Sequence, residues 1–234
     1  MKPSNPDFRR SNVLGNIRKS FDNSDKAKSD RFAAVDARIR AQRPNVVPAR
    51  ASGDAKALLA LFITQAEQAS ATTARVDDPN DLPQAVLAYL TANALPPRLK
   101  AAPHAVLENI AWSKQPSLDM TFGATLGDDE AALSVAFSGV AETGTLVLHS
   151  GPESPTTLNF LPDHHLVVLR TSVLAGTYEA AWSALRNAGN GAMPRTVNWV
   201  TGPSRSGDID QTLLMGAHGP RSLHILILDD KKTI

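Results

Sequence analysis

Cysteine is absent from this chain of 234 residues. It can therefore form no disulfide, offers no thiolate to zinc or to an iron–sulfur cluster, and has no cysteine nucleophile. Any such cluster has to sit on another protein. Long apolar runs are missing as well. The most apolar late segment, Leu223 to Leu228, is interrupted by His224, and the opening MKPSNPDFRR is polar and basic with no apolar region behind it. Neither a signal peptide nor a membrane span is expected, and the reading is a cytoplasmic protein. Aromatic residues make up only 5% of the chain, and the first fifty residues hold just Phe8, Phe21 and Phe32. Without aromatics to stack on bases, the basic front end argues for a solvated face or an acidic protein partner rather than nucleic acid.

The net charge of +1 is small because two opposite excesses cancel. Residues 1–50 carry twelve Lys/Arg against five Asp/Glu, and residues 51–234 carry twelve against eighteen. Hydrophobic residues at 42% suffice for a core, and the length suits one domain with an appendage. We accordingly divide the chain into a basic, partly helical arm and linker over 1–50 and an α/β domain over 51–234. In the arm, Leu14, Ile17 and Phe21 fall at helical spacing, and a second helix is expected near Asp30–Gln42 before Pro44 and Pro48.

Beyond Ser52 the pattern predicts helices at Ala55–Ser70, Leu82–Ala94, Thr177–Ala188 and Asp208–Met215. Strands are expected at Thr72–Val76, Ala105–Leu107, Thr145–His149, Leu166–Leu169, Thr196–Val200 and His224–Leu228, with Ala131–Phe137 following the acidic Asp128-Asp129-Glu130. Strands alternating with helices imply a mostly parallel sheet flanked by helices.

Three segments combine a strand end, glycine and polar groups. In Glu142-Thr143-Gly144-Thr145 a carboxylate stands beside two hydroxyls around a glycine suited to a tight turn. The plain alternative is a turn that opens a strand. Gly202-Pro-Ser204-Arg205-Ser206-Gly-Asp208 joins an expected strand to an expected helix, so free N–H groups, two hydroxyls and a guanidinium would suit a phosphate, carboxylate or acyl oxygen. It lacks the Lys of a phosphate-binding loop, is not G-x-G-x-x-G, and misses G-x-S-x-G because position 206 is Ser. Here the plain alternative is a turn capped by Asp208. Gly216-Ala-His218-Gly219-Pro-Arg221 offers an imidazole for proton transfer or anion binding and a second guanidinium. The adjacent His164 and His165 must point to opposite sheet faces, so at most one can line a given pocket. No histidines stand at short metal-ligand spacing, no metal site is expected, and Trp112, Trp182 and Trp199 are read as packing residues.

The ordered motifs Glu142-Thr-Gly-Thr145, Leu161-Pro-x-x-His165, Gly202-Pro-Ser-Arg-Ser-x-Asp-Ile209 and Gly216-x-His-Gly-Pro-Arg221 resemble the LUD-domain family, in particular its lactate-utilization protein C branch, over residues 134–228. The resemblance implies an α/β fold of the sugar-phosphate isomerase and CoA-transferase type. It also implies a role in oxidising L-lactate to pyruvate beside partner subunits that carry the Fe–S clusters, with no cofactor on this chain. Carried over residue by residue, Thr143, Gly144, Thr145, Gly202, Ser204, Arg205, Ser206, Asp208, Gly219 and Arg221 become candidate ligand-binding residues. Thr157 and Asn159 stand where many relatives are expected to carry an arginine.

Three readings follow. The first is a cluster-free component of a lactate-oxidising system with an anion-binding pocket clamped by Arg205 and Arg221. The second is an independent transferase or isomerase with Glu142 as nucleophile or base and His218 as acid. The third is a non-catalytic scaffold that docks through its basic arm.

Overall fold

A helix start shows how local chemistry sets the architecture: Asp54 accepts the Ala57 N–H at 2.8 Å and so caps α3 (Ala55–Gln68). The computed structural model describes residues 6–21, 25–190, 192–209 and 212–230. The chain falls into two compact units, residues 1–45 and 46–234. The first holds α1 (Pro6–Phe21) and α2 (Asp25–Ala41), each with basic residues in its last turn, where they complement the helix dipole. Leu14 on α1 and Phe32, Val35 and Ile39 on α2 are exposed. None of the described helices is long and apolar enough to cross a membrane.

In the second unit α3 leads into β1 (Thr72–Val76), then α4 (Leu82–Ala92), β2 (Arg98–Ala101), α5 (Ala105–Glu108), β3 (Asp119–Phe122) and β4 (Ala131–Val135). There follow β5 (Ser138–Val140), β6 (Thr145–His149), β7 (His164–Arg170), β8 (Leu174–Ala175), α6 (Tyr178–Ala188), β9 (Val197–Val200), β10 (Arg205–Ile209), β11 (Thr212–Met215) and β12 (Ser222–Leu228). Six strands form an all-parallel sheet in the order β1-β12-β7-β4-β2-β3. The expected α/β class is thus observed. Strands β8-β5-β6-β9 make a smaller mixed sheet, and β10 pairs with β11 as an antiparallel hairpin.

Both faces of the central strands are covered, which is why β7 and β12 read as almost continuous apolar runs. On one face Leu166, Val168, Leu226 and Leu133 pack with Val86 and Leu90 of α4. On the other, Val167, Leu169, Ile225 and Ile227 pack with Phe62 of α3 and Leu146 of the smaller sheet. The alternation separates the two histidines as expected: His164 shares the α4 face and His165 the α3 face.

Two expected elements are corrected. The helix expected over Asp208–Met215 is not observed among the described residues: Asp208 and Ile209 end β10 and Thr212–Met215 form β11, with Arg205 paired to Met215 and Ser206 to Leu214. Ala105–Leu107 is no strand: the His104 Nδ1 accepts the Val106 N–H at 3.1 Å and caps the short helix α5.

Candidate functional site

The hairpin explains how two motifs come together. Strands β10 and β11 fold the loop before them onto the loop after them, and backbone hydrogen bonds lock the pair. The Ser204 N–H donates to the Pro220 carbonyl at 2.8 Å, and the Gly216 N–H donates to the Ser204 carbonyl at 2.9 Å. The His218 N–H also donates to Ser204 Oγ at 3.3 Å. The convergence is therefore local, made by a short hairpin. No helix starts at Gly207–Asp208, because both residues lie in strand β10, so the helix N-terminus expected there is absent.

The end of α3 fixes this assembly. Gly202 has φ +71° and lies so close to the Ala69 carbonyl that a Cβ there would overlap its oxygen. Arg205 Nη2 donates to that same carbonyl, placing a cation at the negative end of the helix dipole. Gly144, with φ +65°, rests on the same helix one turn earlier, where a Cβ would stand 2.6 Å from Ala66 Cα. Two of the three glycine motifs are thus held against the last turns of α3.

Between the paired loops and the start of β7 lies a recess of about 270 Å³. Ser204, Arg205, His218 and Gly219 line it together with Asn159 and His165. The apolar part of the wall comes from Trp199, Phe160 and Leu223. His165 is only 1% exposed, and its Nε2 meets Ser134 Oγ at 2.6 Å. Burial lowers its pKa to about 4, so it forms a neutral floor at physiological pH. Arg205 retains guanidinium N–H groups beyond the one given to Ala69. A cation, hydroxyl and amide donors and a neutral imidazole on an apolar wall suit a small anion with a short apolar substituent.

The other candidates lie elsewhere. Arg221 lines a second recess, of about 410 Å³, which shares Pro203 and Leu223 with the first. The two guanidiniums therefore serve adjoining hollows. Glu142 lines neither recess; it is buried, its N–H donates to the Gly176 carbonyl at 3.1 Å, and its Oε2 has no hydrogen-bond partner. Thr143 and Thr145 are part of a hydroxyl cluster in which Thr145 Oγ1 meets Thr143 Oγ1 at 2.6 Å, the Tyr178 hydroxyl at 2.9 Å and Thr201 Oγ1 at 2.6 Å. Since Thr201 lines the first recess, this chain of hydroxyls joins the Glu142–Thr145 turn to its wall. Ser206 is half-buried in β10, outside the lining of either recess, and the side chain of Asp208 lies outside the described residues.

Sequence reasoning left Asn159, Trp199 and Thr201 out of the site. Asn159 occupies a position where the resemblance implied an arginine, yet it is buried and lines the recess, so Arg205 supplies the charge there. A signal for Thr201 existed, since it directly precedes Gly202. Among the described residues there is no group of three or more His, Asp or Glu placed to hold a metal ion.

Comparison with known proteins agrees with the resemblance to the LUD-domain family. A family model described as LUD domain matches residues 59–228. An uncharacterized protein, NMB1437, of Neisseria meningitidis serogroup B is 42% identical over 99 residues, covering 42% of this chain and 42% of its own. Lactate utilization protein C of Geobacillus thermodenitrificans is 35% identical over 107 residues, 44% of this chain and 45% of that protein. Its namesake in Bacillus subtilis is 32% identical over 106 residues, 43% and 44% of the two chains. The matched segment thus spans less than half the length of each of these relatives. The crystal structure of a DUF162 family protein from Deinococcus radiodurans superposes with a TM-score of 0.58 at 20% identity, covering 76% of this chain and 99% of that one, which shows a shared fold.

Proposed function

Because this chain belongs to the LUD domain family, we propose that it is the cluster-free component of an L-lactate-utilizing system and that its smaller recess binds a small carboxylate. One observation carries this reading: Ser204, Arg205, Asn159, His165 and His218 surround a single hollow of about 270 Å³. The names of the Geobacillus and Bacillus relatives support the lactate context. Lactate and pyruvate are short carboxylates with one small apolar end, which matches a guanidinium beside an indole wall. With no cysteine to hold a cluster, electron transfer belongs to Fe–S proteins that act with this chain. The excess of basic residues in the first fifty positions offers a docking surface for an acidic partner of that kind.

A group-transfer reading, with Glu142 as nucleophile or base and His218 as acid, has the unpaired buried Oε2 of Glu142 in its favour. It requires the Glu142–Thr145 turn to open toward the recess, because Glu142 is not among the residues that line it.

Deletion of the gene from its native cell, followed by complementation, separates the two. In a strain with no other lactate route, growth on L-lactate should be lost, restored by the natural chain and by Glu142→Gln, and not restored by Arg205→Ala. The natural chain should also co-purify with iron-containing proteins. Normal growth of the deletion strain overturns the lactate role, and failure of Glu142→Gln alone turns the reading to group transfer.

A further inference from the structure

We propose that the larger recess is a second, separate binding site, taking a monocarboxylate with an extended apolar body such as a medium-chain fatty acid. The recess lies between α4 and the starts of β1 and β12, with a volume of about 410 Å³. Its space comes from side-chain size. Helix α4 buries Leu82, Val86 and Leu90 in the core but turns Ala85, Ala88 and Ala92 toward the hollow, opposite Ala74 of β1. Larger residues at those helical intervals would fill it. The result is a narrow apolar slot rather than a polar cleft.

The floor is polar but carries no charge. His224, 7% exposed, hydrogen-bonds through Nδ1 to Thr72 Oγ1 at 2.7 Å, and its ring stacks on Tyr89 at 4.4 Å between centroids. The Tyr89 hydroxyl in turn meets His164 Nδ1 at 3.0 Å. Burial holds His224 well below the usual imidazole range, at about 4, and raises the Tyr89 phenol. The register of β7 and β12 assembles this group, since Ser222 pairs with His164 and the next strand over pairs Thr72 with His224.

Charge enters only at the rim. The stem of Arg221 lies across Gly216, whose φ of +79° allows the approach; a Cβ there would overlap Arg221 Cγ. Arg221 is exposed and makes no ion pair among the described residues, while Ser70 and Asn93 add neutral polar groups to the lining. Of the residues that line this recess Arg221 alone is an arginine or lysine, and none is an aspartate or glutamate, which makes Arg221 the place for an anion. One cation at the mouth of an apolar slot selects a single carboxylate with a hydrophobic tail. A sugar phosphate would carry more hydroxyls than the alanine walls can satisfy. Met215, 38% exposed beside Arg221, offers a flexible surface that can adjust to tails of different length.

Titration of the full chain with octanoate, followed by NMR or calorimetry, tests the assignment. Octanoate should bind saturably, octanol about tenfold more weakly, and both Arg221→Gln and Ala88→Leu should weaken octanoate by about tenfold or more. Ala88 is exposed on α4, so its replacement by leucine fills the slot without entering the core. Arg205→Ala should leave octanoate binding unchanged, which separates this site from the smaller recess. The proposal is overturned if octanoate does not bind, if it binds equally well to Arg221→Gln and Ala88→Leu, or if Arg205→Ala is the variant that abolishes binding.

Discussion

Acidification from pH 7 to pH 5 is expected to destabilise this protein by roughly 4 kcal/mol, before most carboxylates begin to titrate. The cause is the pair His165 and His224, both buried and both held at a pKa of about 4 against an ordinary 6.5. Between those values the unfolded chain takes up a proton at each imidazole and the native chain does not, so stability falls as pH drops from about 6.5 toward 4. Above the unfolded value neither state is protonated and the loss disappears. Each group contributes roughly 2 kcal/mol over this window, at about 1.4 kcal/mol per pH unit. His104 and His164, lowered by burial as well, act with the same sign. Urea unfolding at a series of pH values reads the effect directly, and the melting temperature should fall by on the order of 10 °C between pH 7 and 5. His165→Gln and His224→Gln should each flatten the dependence by about half. A stability that stays level across this window would contradict the buried, neutral state of both rings.

Alanine at Gly202 or Gly144 is expected to cost at least about 3 kcal/mol, far more than the loss of one methyl group in the core. Two penalties add at each position. A left-handed backbone conformation is unfavourable for any residue with a Cβ. The new carbon would also overlap α3 backbone: the Ala69 carbonyl in the case of Gly202, and Ala66 in the case of Gly144. Backbone cannot rotate aside as a flexible side chain does, so the loop or the helix end has to move. Because Arg205 is anchored on the same carbonyl, displacement at Gly202 should distort the smaller recess as well. Gly15 is the control, since a Cβ there meets nothing within 4 Å and the residue lies inside α1. Gly15→Ala should be neutral or slightly stabilising. Chemical denaturation of the three variants distinguishes the cases, and equal stabilities would show that neither loop is held against α3.

The parts of the fold that were legible in the sequence are those governed by short-range pattern. The apolar stretch Leu166 to Leu169 and the run from His224 to Leu228 announce strands covered on both faces, and Asp54 marks the start of α3. The adjacency of His164 and His165 fixes their opposite directions through the pleat alone. The β10–β11 hairpin was not legible, because Ile209, Leu213 and Leu214 suit a helical stripe when read alone. What decides the outcome is tertiary: Gly202 and Gly216 bend the chain at the two ends, and Ser204 exchanges hydrogen bonds with Pro220 and Gly216. Ala105–Leu107 was too short for any periodicity, and the cap from His104 settles it as a helical turn.

The candidate site shows the same division. Ser204, Arg205 and His218 stood out as polar residues among glycines, and the structure gathers them. Arg221 stood out for the same reason but faces the neighbouring hollow, because it follows Pro220 at the start of β12 and lies back over Gly216. The association of Tyr89, His164 and His224 had no sequence signal at all. It depends on which strands are neighbours and on their register, and spacing along the chain records neither.

Calorimetric titration of the full-length chain with L-lactate and pyruvate tests the smaller recess most directly. Saturable binding at one site is expected, weakened about tenfold or more by Arg205→Ala and left intact by Arg221→Gln. Equal affinity in the natural chain and Arg205→Ala, or no heat with either acid, would contradict the assignment of that recess to a small carboxylate.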